Sequence, residues 1–158
     1  MSAQIKYGYE TVKGIAGSQY GIEFNDIVTR SNESDTGKLQ FGMAVATGTS
    51  EGKSVKVPDT SVIDAKKIEG VVLRAGSTEM DMNGKVQIKQ NDTVGILRKG
   101  KVWVKLASGA TPSYKEKAYV VNSGDEAGKF TNVQGSNIDI GATFYNVSDE
   151  NIAVIVLD

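Results

Sequence analysis

The chain has 158 residues, with 18 Lys plus Arg against 19 Asp plus Glu, 18 glycines, two prolines, and no histidine or cysteine. That length suits one domain able to bury a core without disulfide or metal. The missing residue types exclude histidine base chemistry, cysteine nucleophiles, Cys/His zinc sites and disulfides. A net charge of -1 leaves no basic excess to neutralise phosphates, and no run approaches the ~20 apolar residues of a membrane-spanning helix. A soluble protein made in the cytoplasm, with neither nucleic acid nor membrane as partner, is therefore expected.

The first ten residues lack the apolar core of a signal peptide. Through residues 1–38, Gly8, Gly14, Gly17 and Gly21 interrupt any periodic stretch, and Tyr7, Tyr9, Tyr20 and Phe24 lie among them. Residues 29–38 are polar and rich in turn formers. We read 1–38 as an extended N-terminal arm ending in a surface loop, with ordinary edge strands and loops an equally open alternative. From residue 39 to 158 the pattern is that of a β-rich core domain. Short apolar stretches recur at Phe41–Ala46, Ser54–Val57, Gly70–Leu73, Val86–Ile88, Val94–Leu97, Val102–Leu106, Ala118–Val121, Ala142–Val147 and Ile152–Leu157. Asp59 to Lys67, after Pro58, has room for one or two helical turns. The spacing predicts an all-β single domain, a β-sandwich or partly open barrel of short antiparallel strands. Ile152–Leu157, apolar on both faces, reads as a central strand or one covered by a partner.

Two hairpins can be placed by register. In Thr78 to Ile88, a three-residue loop Met82-Asn83-Gly84 with glycine in the left-handed region sets Asp81 opposite Lys85, Met80 opposite Val86 and Thr78 opposite Ile88. In Thr93 to Leu106, a loop Arg98-Lys99-Gly100 sets Ile96 opposite Val102 and Val94 opposite Val104, with Leu106 continuing an aliphatic inner face. The outer face then carries Leu97 opposite Lys101, Trp103 over Gly95, and Lys105 opposite Thr93.

Chemical motifs are weak. Asp59, Asp64, Asp81, Asp92, Asp125 and Asp139 offer carboxylates, but in turn-like settings rather than as the flanking pair a glycosidase needs. No Gly-x-Ser-x-Gly elbow is present. The stretch from Asp81 to Asp92 has glycine at the fourth position, not the sixth, of a would-be calcium loop. The Gly14–Gly21 segment lacks the Lys-Ser/Thr of a phosphate loop. Trp103 among Lys99, Lys101 and Lys105 fits a solvated β face, or a protein contact centred on Trp103, better than a single-stranded nucleic-acid platform. Tyr7, Tyr9, Trp103 and Tyr114 leave a glycan-stacking module as the alternative function.

Ile68-Glu-Gly-Val-Val-Leu-Arg74 followed by Asp92-Thr-Val-Gly-Ile-Leu-Arg-Lys-Gly-Lys-Val-Trp-Val-Lys105 resembles the structural cement, or head decoration, proteins of tailed bacteriophages. Gly14-Ile-Ala-Gly17, Asn25-Asp-Ile-Val-Thr-Arg30 and Leu39-Gln-Phe-Gly-Met-Ala-Val45 occupy corresponding places, with Gln40 where that family usually has proline, a departure touching only the start of the strand. The resemblance extends to Leu106. It implies a non-enzymatic virion protein with no cofactor, made in the host cytoplasm and placed on the outer surface of the head. There it would bridge neighbouring major capsid subunits and meet other copies of itself as a dimer or trimer. The expected partner interface comprises Trp103, Leu97, Lys101, Lys105, Tyr7, Tyr9 and Tyr20.

Overall fold

The computed structural model describes residues 14–21, 24–75, 82–147 and 151–158. The strands are β1 (Asp26–Asn32), β2 (Ala44–Thr47), β3 (Ser54–Lys56), β4 (Ile68–Val72), β5 (Thr93–Lys105), β6 (Lys117–Val120), β7 (Phe130–Thr131), β8 (Ile138–Val147) and β9 (Ile152–Leu157). Between β3 and β4 a single 3-10 turn, Ala65–Lys67, is capped by the Asp64 carboxylate accepting from the Lys66 amide at 2.9 Å. The all-β expectation holds.

The strands form two small rings that share β5. In the first, β1, β3, β2 and β4 follow one another and both ends pair with β5, so that Leu97 of β5 has Ile27 of β1 on one edge and Val71 of β4 on the other. All of its pairings are antiparallel except β1 with β3. In the second, β5, β9, β8, β6 and β7 follow in order. A parallel bridge between Leu106 and Phe130, with the Ala107 amide donating to the Phe130 carbonyl at 2.8 Å, closes it.

Each ring has its own core. Val45, Val55, Val72, Val94 and Ile96 fill the first, with Leu39, Phe41 and Ile88 packed against them. Val102, Val104, Ala118, Val120, Phe130, Phe144, Ala153 and Ile155 fill the second. The second cluster also takes Ala44, Ala46, Val71 and Leu97. β2, β4 and β5 are thus apolar on alternate faces toward different cores and form the wall between them. Strands buried on both faces read as continuous apolar runs, which explains Met43-Ala-Val-Ala46 and Val71-Val-Leu73.

The hairpin expected at Thr93–Leu106 is one uninterrupted strand of 13 residues, about 40 Å at ~3.3 Å per residue. Arg98-Lys99-Gly100 does not turn, because both edges are paired: Asp26 lies opposite Lys99 and Leu157 opposite Gly100. Gly100, with φ 129°, is required by close approach, since a Cβ there would lie 2.1 Å from Asn25 Oδ1. Even-numbered residues share a face in a hairpin with a three-residue loop and in a continuous strand alike. Val94, Ile96, Val102, Val104 and Leu106 are accordingly all buried, but they serve two cores. The odd face differs. Gly95 pairs with Thr29 and Trp103 with Val154, not with each other.

In the other expected hairpin, Gly84 takes φ 76° as its loop requires. The opposing residues Thr78, Met80 and Asp81 lie outside the described residues. Val86–Ile88 is not a regular strand, although Ile88 enters the first core. β9 is central, between β5 and β8.

Part of the 1–38 stretch is strand, the alternative left open for it. Asp26–Asn32 pairs with β5 along six positions, so this part of the supposed arm and loop is a wall of the first ring. Asn32 is fully buried, its Nδ2 donating to the carbonyls of Lys89 (3.0 Å) and Ser34 (3.2 Å) and its Oδ1 accepting from the Ser34 amide (2.9 Å). Next to it the Glu33 carboxylate accepts from the Ser54 hydroxyl and from the amide and hydroxyl of Thr49. The Ser54 hydroxyl, then the Thr49 amide, hold its pKa below the ordinary value. Within 29–38, the polar groups of Asn32 and Glu33 go into hydrogen bonds that join the loops.

Candidate partner-contact surface

The outer face of β5 carries Lys101, Trp103 and Lys105 at alternate positions, as the sequence predicts. Trp103 is nevertheless only 4% exposed. Residues 17–20 lie along the edge of β5 opposite β9: the Gly17 amide donates to the Trp103 carbonyl at 2.8 Å, the Trp103 amide to the Ser18 carbonyl at 2.9 Å, and the Tyr20 amide to the Lys101 carbonyl at 3.0 Å. Gly14 lies against the indole so closely that a Cβ would come within 2.1 Å of Nε1. A register argument confined to β5 cannot see this cover, because it comes from about 85 residues earlier in the chain. Leu97, also expected outside, is fully buried because it faces the second core across the shared wall. Neither residue presents a surface to a partner.

Trp103 does root an aromatic row that reaches solvent. Tyr20 meets it edge-on with ring centroids 6.1 Å apart; Tyr145 lies 5.5 Å from Tyr20, and Tyr114 6.0 Å from Tyr145. Exposure rises along the row to 36% at Tyr145 and 62% at Tyr114. Lys101 Nζ sits 4.3 Å over the Tyr145 ring and Lys115 Nζ 5.4 Å over Tyr114. Cation–π pairs at exposed sites contribute about 0.5–1 kcal/mol, so they hold the rings at a defined tilt more than they stabilise the fold. Lys115 has φ 66°, unusual for a non-glycine residue. It is held there by its amide donating to the Phe144 carbonyl and by the Phe144 amide donating to the Glu116 carbonyl, each at 2.8 Å.

Of the expected interface residues, Tyr20 and Lys101 belong to this row, Tyr7 and Tyr9 lie outside the described residues, and Lys105 stands one step beyond Trp103 on the opposite side. The Lys105 ammonium donates to Gln40 Oε1. Gln40 therefore does more than begin a strand; proline there could not accept this bond. Tyr145 carried a signal in sequence, because burying Ala142 and Phe144 turns the intervening odd positions outward, and the irregularity between Phe144 and Asn146 aims its ring. Lys115 carried none. A sugar-stacking platform loses Trp103, which is buried with Gly14 and Tyr20 against its indole.

A groove of about 610 Å³ between the rings is lined by Lys56, Asp59, Asn122 and Asp125, among others. Two aspartates in one groove are what a carboxylate hydrolase would need, one with a raised pKa. Asp59 is pulled the other way. Lys56 Nζ at 2.7 Å, then the Ser61 hydroxyl and amide, lower its pKa to about 2.

A family model described as structural cement protein (E217 gp24/Pam3 gp6) matches residues 3–158. Among solved structures, a chain of "The capsid of Myoviridae Phage XM1" is similar with a TM-score of 0.70 and 18% sequence identity, over 100% of this chain and 98% of that chain. At that identity the likeness shows the fold. No curated protein matches the chain.

Proposed function

The chain belongs to the structural cement protein family of phages, and from that premise we propose that it binds the outer surface of an assembled phage head and bridges neighbouring major capsid subunits, with the Tyr20–Tyr145–Tyr114 row as a contact. The observation that carries this reading is the row itself: exposed rings, pinned by cations and rooted on a buried tryptophan. Rigid aromatics anchor protein interfaces because they bury much area at little entropic cost. A protein that binds the closed shell and not its free subunits stabilises the shell by mass action, by about 2.7 kcal/mol per site at a free concentration 100-fold above Kd. No chemistry at the site is needed. Copies arranged as dimers or trimers would suit the two-fold and three-fold positions of an icosahedral lattice. Synthesis in the host cytoplasm followed by addition to the virion fits the same role.

The test adds purified protein to expanded heads that lack it. Ordered density outside the shell and a higher temperature of head disruption are expected. Heads without added density, disrupting at an unchanged temperature, would sink the reading.

A further inference from the structure

The second ring closes at a seam, and a pocket of about 270 Å³ opens there, lined by Lys105, Leu106, Ser108, Lys129, Asn151 and Ile152. The sequence brings two cations to it from different strands. Lys105 is the last residue of β5, its backbone tied by its amide donating to the Gly42 carbonyl at 3.0 Å. Lys129 immediately precedes β7. The Lys129 ammonium lies 3.1 Å from Glu126 Oε1. That carboxylate also accepts from the Ser108 hydroxyl (3.2 Å) and, through Oε2, from the Ser108 amide (3.0 Å), so its oxygens are committed to Ser108 and Lys129. Among the described residues Lys105 has no carboxylate: its side chain is partly buried and its ammonium donates to the neutral Gln40 amide. No acidic side chain lines the pocket among the described residues.

Among the described residues, this arrangement leaves Lys105 without a counter-charge. Burial first, and then the Lys129 charge, push the Lys105 pKa below its ordinary value. Both effects oppose the ammonium, and the charge of an anion seated between the two lysines would offset both. A half-buried cation kept in contact with an amide is expensive to the isolated molecule, and a hydrogen-bonded carboxylate is the group that would relieve it best.

We propose that the Lys105–Lys129 pocket is a carboxylate site, filled by an acidic side chain of the shell when the protein sits on a head. The identity of that occupant rests on the cement reading; the carboxylate chemistry rests on the pocket. The site lies on the opposite side of Trp103 from the tyrosine row, so the two would engage separate points of the lattice.

Two measurements test it. In the isolated protein, acetate is titrated while the lysine Cε groups are followed by proton–carbon NMR. A saturable shift at Lys105 and Lys129, lost in Lys105→Met, is expected; its absence overturns the site. On expanded heads lacking the protein, Lys105→Met is expected to bind at least tenfold more weakly with its Tm unchanged or raised. Weaker binding with a lowered Tm would make Lys105 a structural residue and overturn the proposal. Unchanged head affinity beside a saturable acetate shift would overturn the shell as the source and leave a site for free carboxylates. Failure of the wild-type protein to bind heads would remove the cement reading, and the acetate titration would then decide the pocket by itself.

Discussion

The two rings share a strand and a wall yet are finished differently. The first closes on both edges of β5 and is sealed by side chains: Asn32, Glu33 and Ser54 hydrogen-bond its loops together, and its core is mostly aliphatic. The second closes through the Leu106–Phe130 bridge, holds Phe130 and Phe144 at its centre, and wears the 14–20 segment on its outside. The tyrosine row and the lysine pocket both lie on the second ring. On the proposed reading, the ring that completes itself is scaffold, and the ring that needs outside cover and a seam presents side chains to a partner.

The sharpest way to break that contrast is to remove the cover's anchor. Trp103→Ala should cost about 3–5 kcal/mol, the range for deleting a large buried aromatic, read as a lower midpoint in urea unfolding. A loss below about 1 kcal/mol would mean that residues 14–20 contribute little to the second ring. In the first ring, Asn32→Leu strands the Ser34 amide and the Lys89 carbonyl. A cost of about 1–3 kcal/mol is expected, checked by thermal unfolding; a neutral result would show that the loops there close without it. Tyr145→Ala should leave stability within about 0.5 kcal/mol, as surface changes usually do, while head binding in a pelleting assay falls at least tenfold. Equal losses in both readouts would return Tyr145 to the fold.

The smallest effect lies in the groove between the rings. Asp59 has its pKa depressed in the folded state, from 3.8 to about 2. A carboxylate of that kind contributes stability that is complete above its unfolded pKa and disappears as pH falls through its folded one. The loss therefore falls between about pH 4 and pH 2. Because the side chain is 48% exposed, solvent screening keeps the effect below ~1 kcal/mol. Asp59→Asn should flatten the stability–pH curve in that window, and an unchanged slope would show that the Lys56 pairing does not persist in solution.

The inward face of β5 was legible because alternation is local: Val94, Ile96, Val102, Val104 and Leu106 face inward whether the chain turns or continues. The continuation itself was not legible. A Lys-Gly pair suits a turn, and only Asp26 opposite Lys99 and Leu157 opposite Gly100, from strands far off in sequence, hold the segment straight. The same limit hid the burial of Leu97 and Trp103, since what covers an outer face belongs to another layer. Polar residues misled at Asn32 and Glu33, where composition spoke for solvent and the side chains bond distant parts of the chain. Of the contact surface, Tyr20, Lys101, Lys105 and Tyr114 could be picked from the sequence by residue type, but their grouping into a row and a pocket could not.

The shared wall also orders events in time. All strands of the first ring have been synthesised once Lys105 has been added, but Ala44, Ala46, Val71 and Leu97 on its far side still face water. They stay uncovered until the later strands β6 to β9, which carry Ala118, Phe130, Phe144 and Ile155 of the same core, come into place. Tyr145, on β8, takes its position in the same step. The proposed contact face is therefore completed late, after every strand of the first ring is already in the chain.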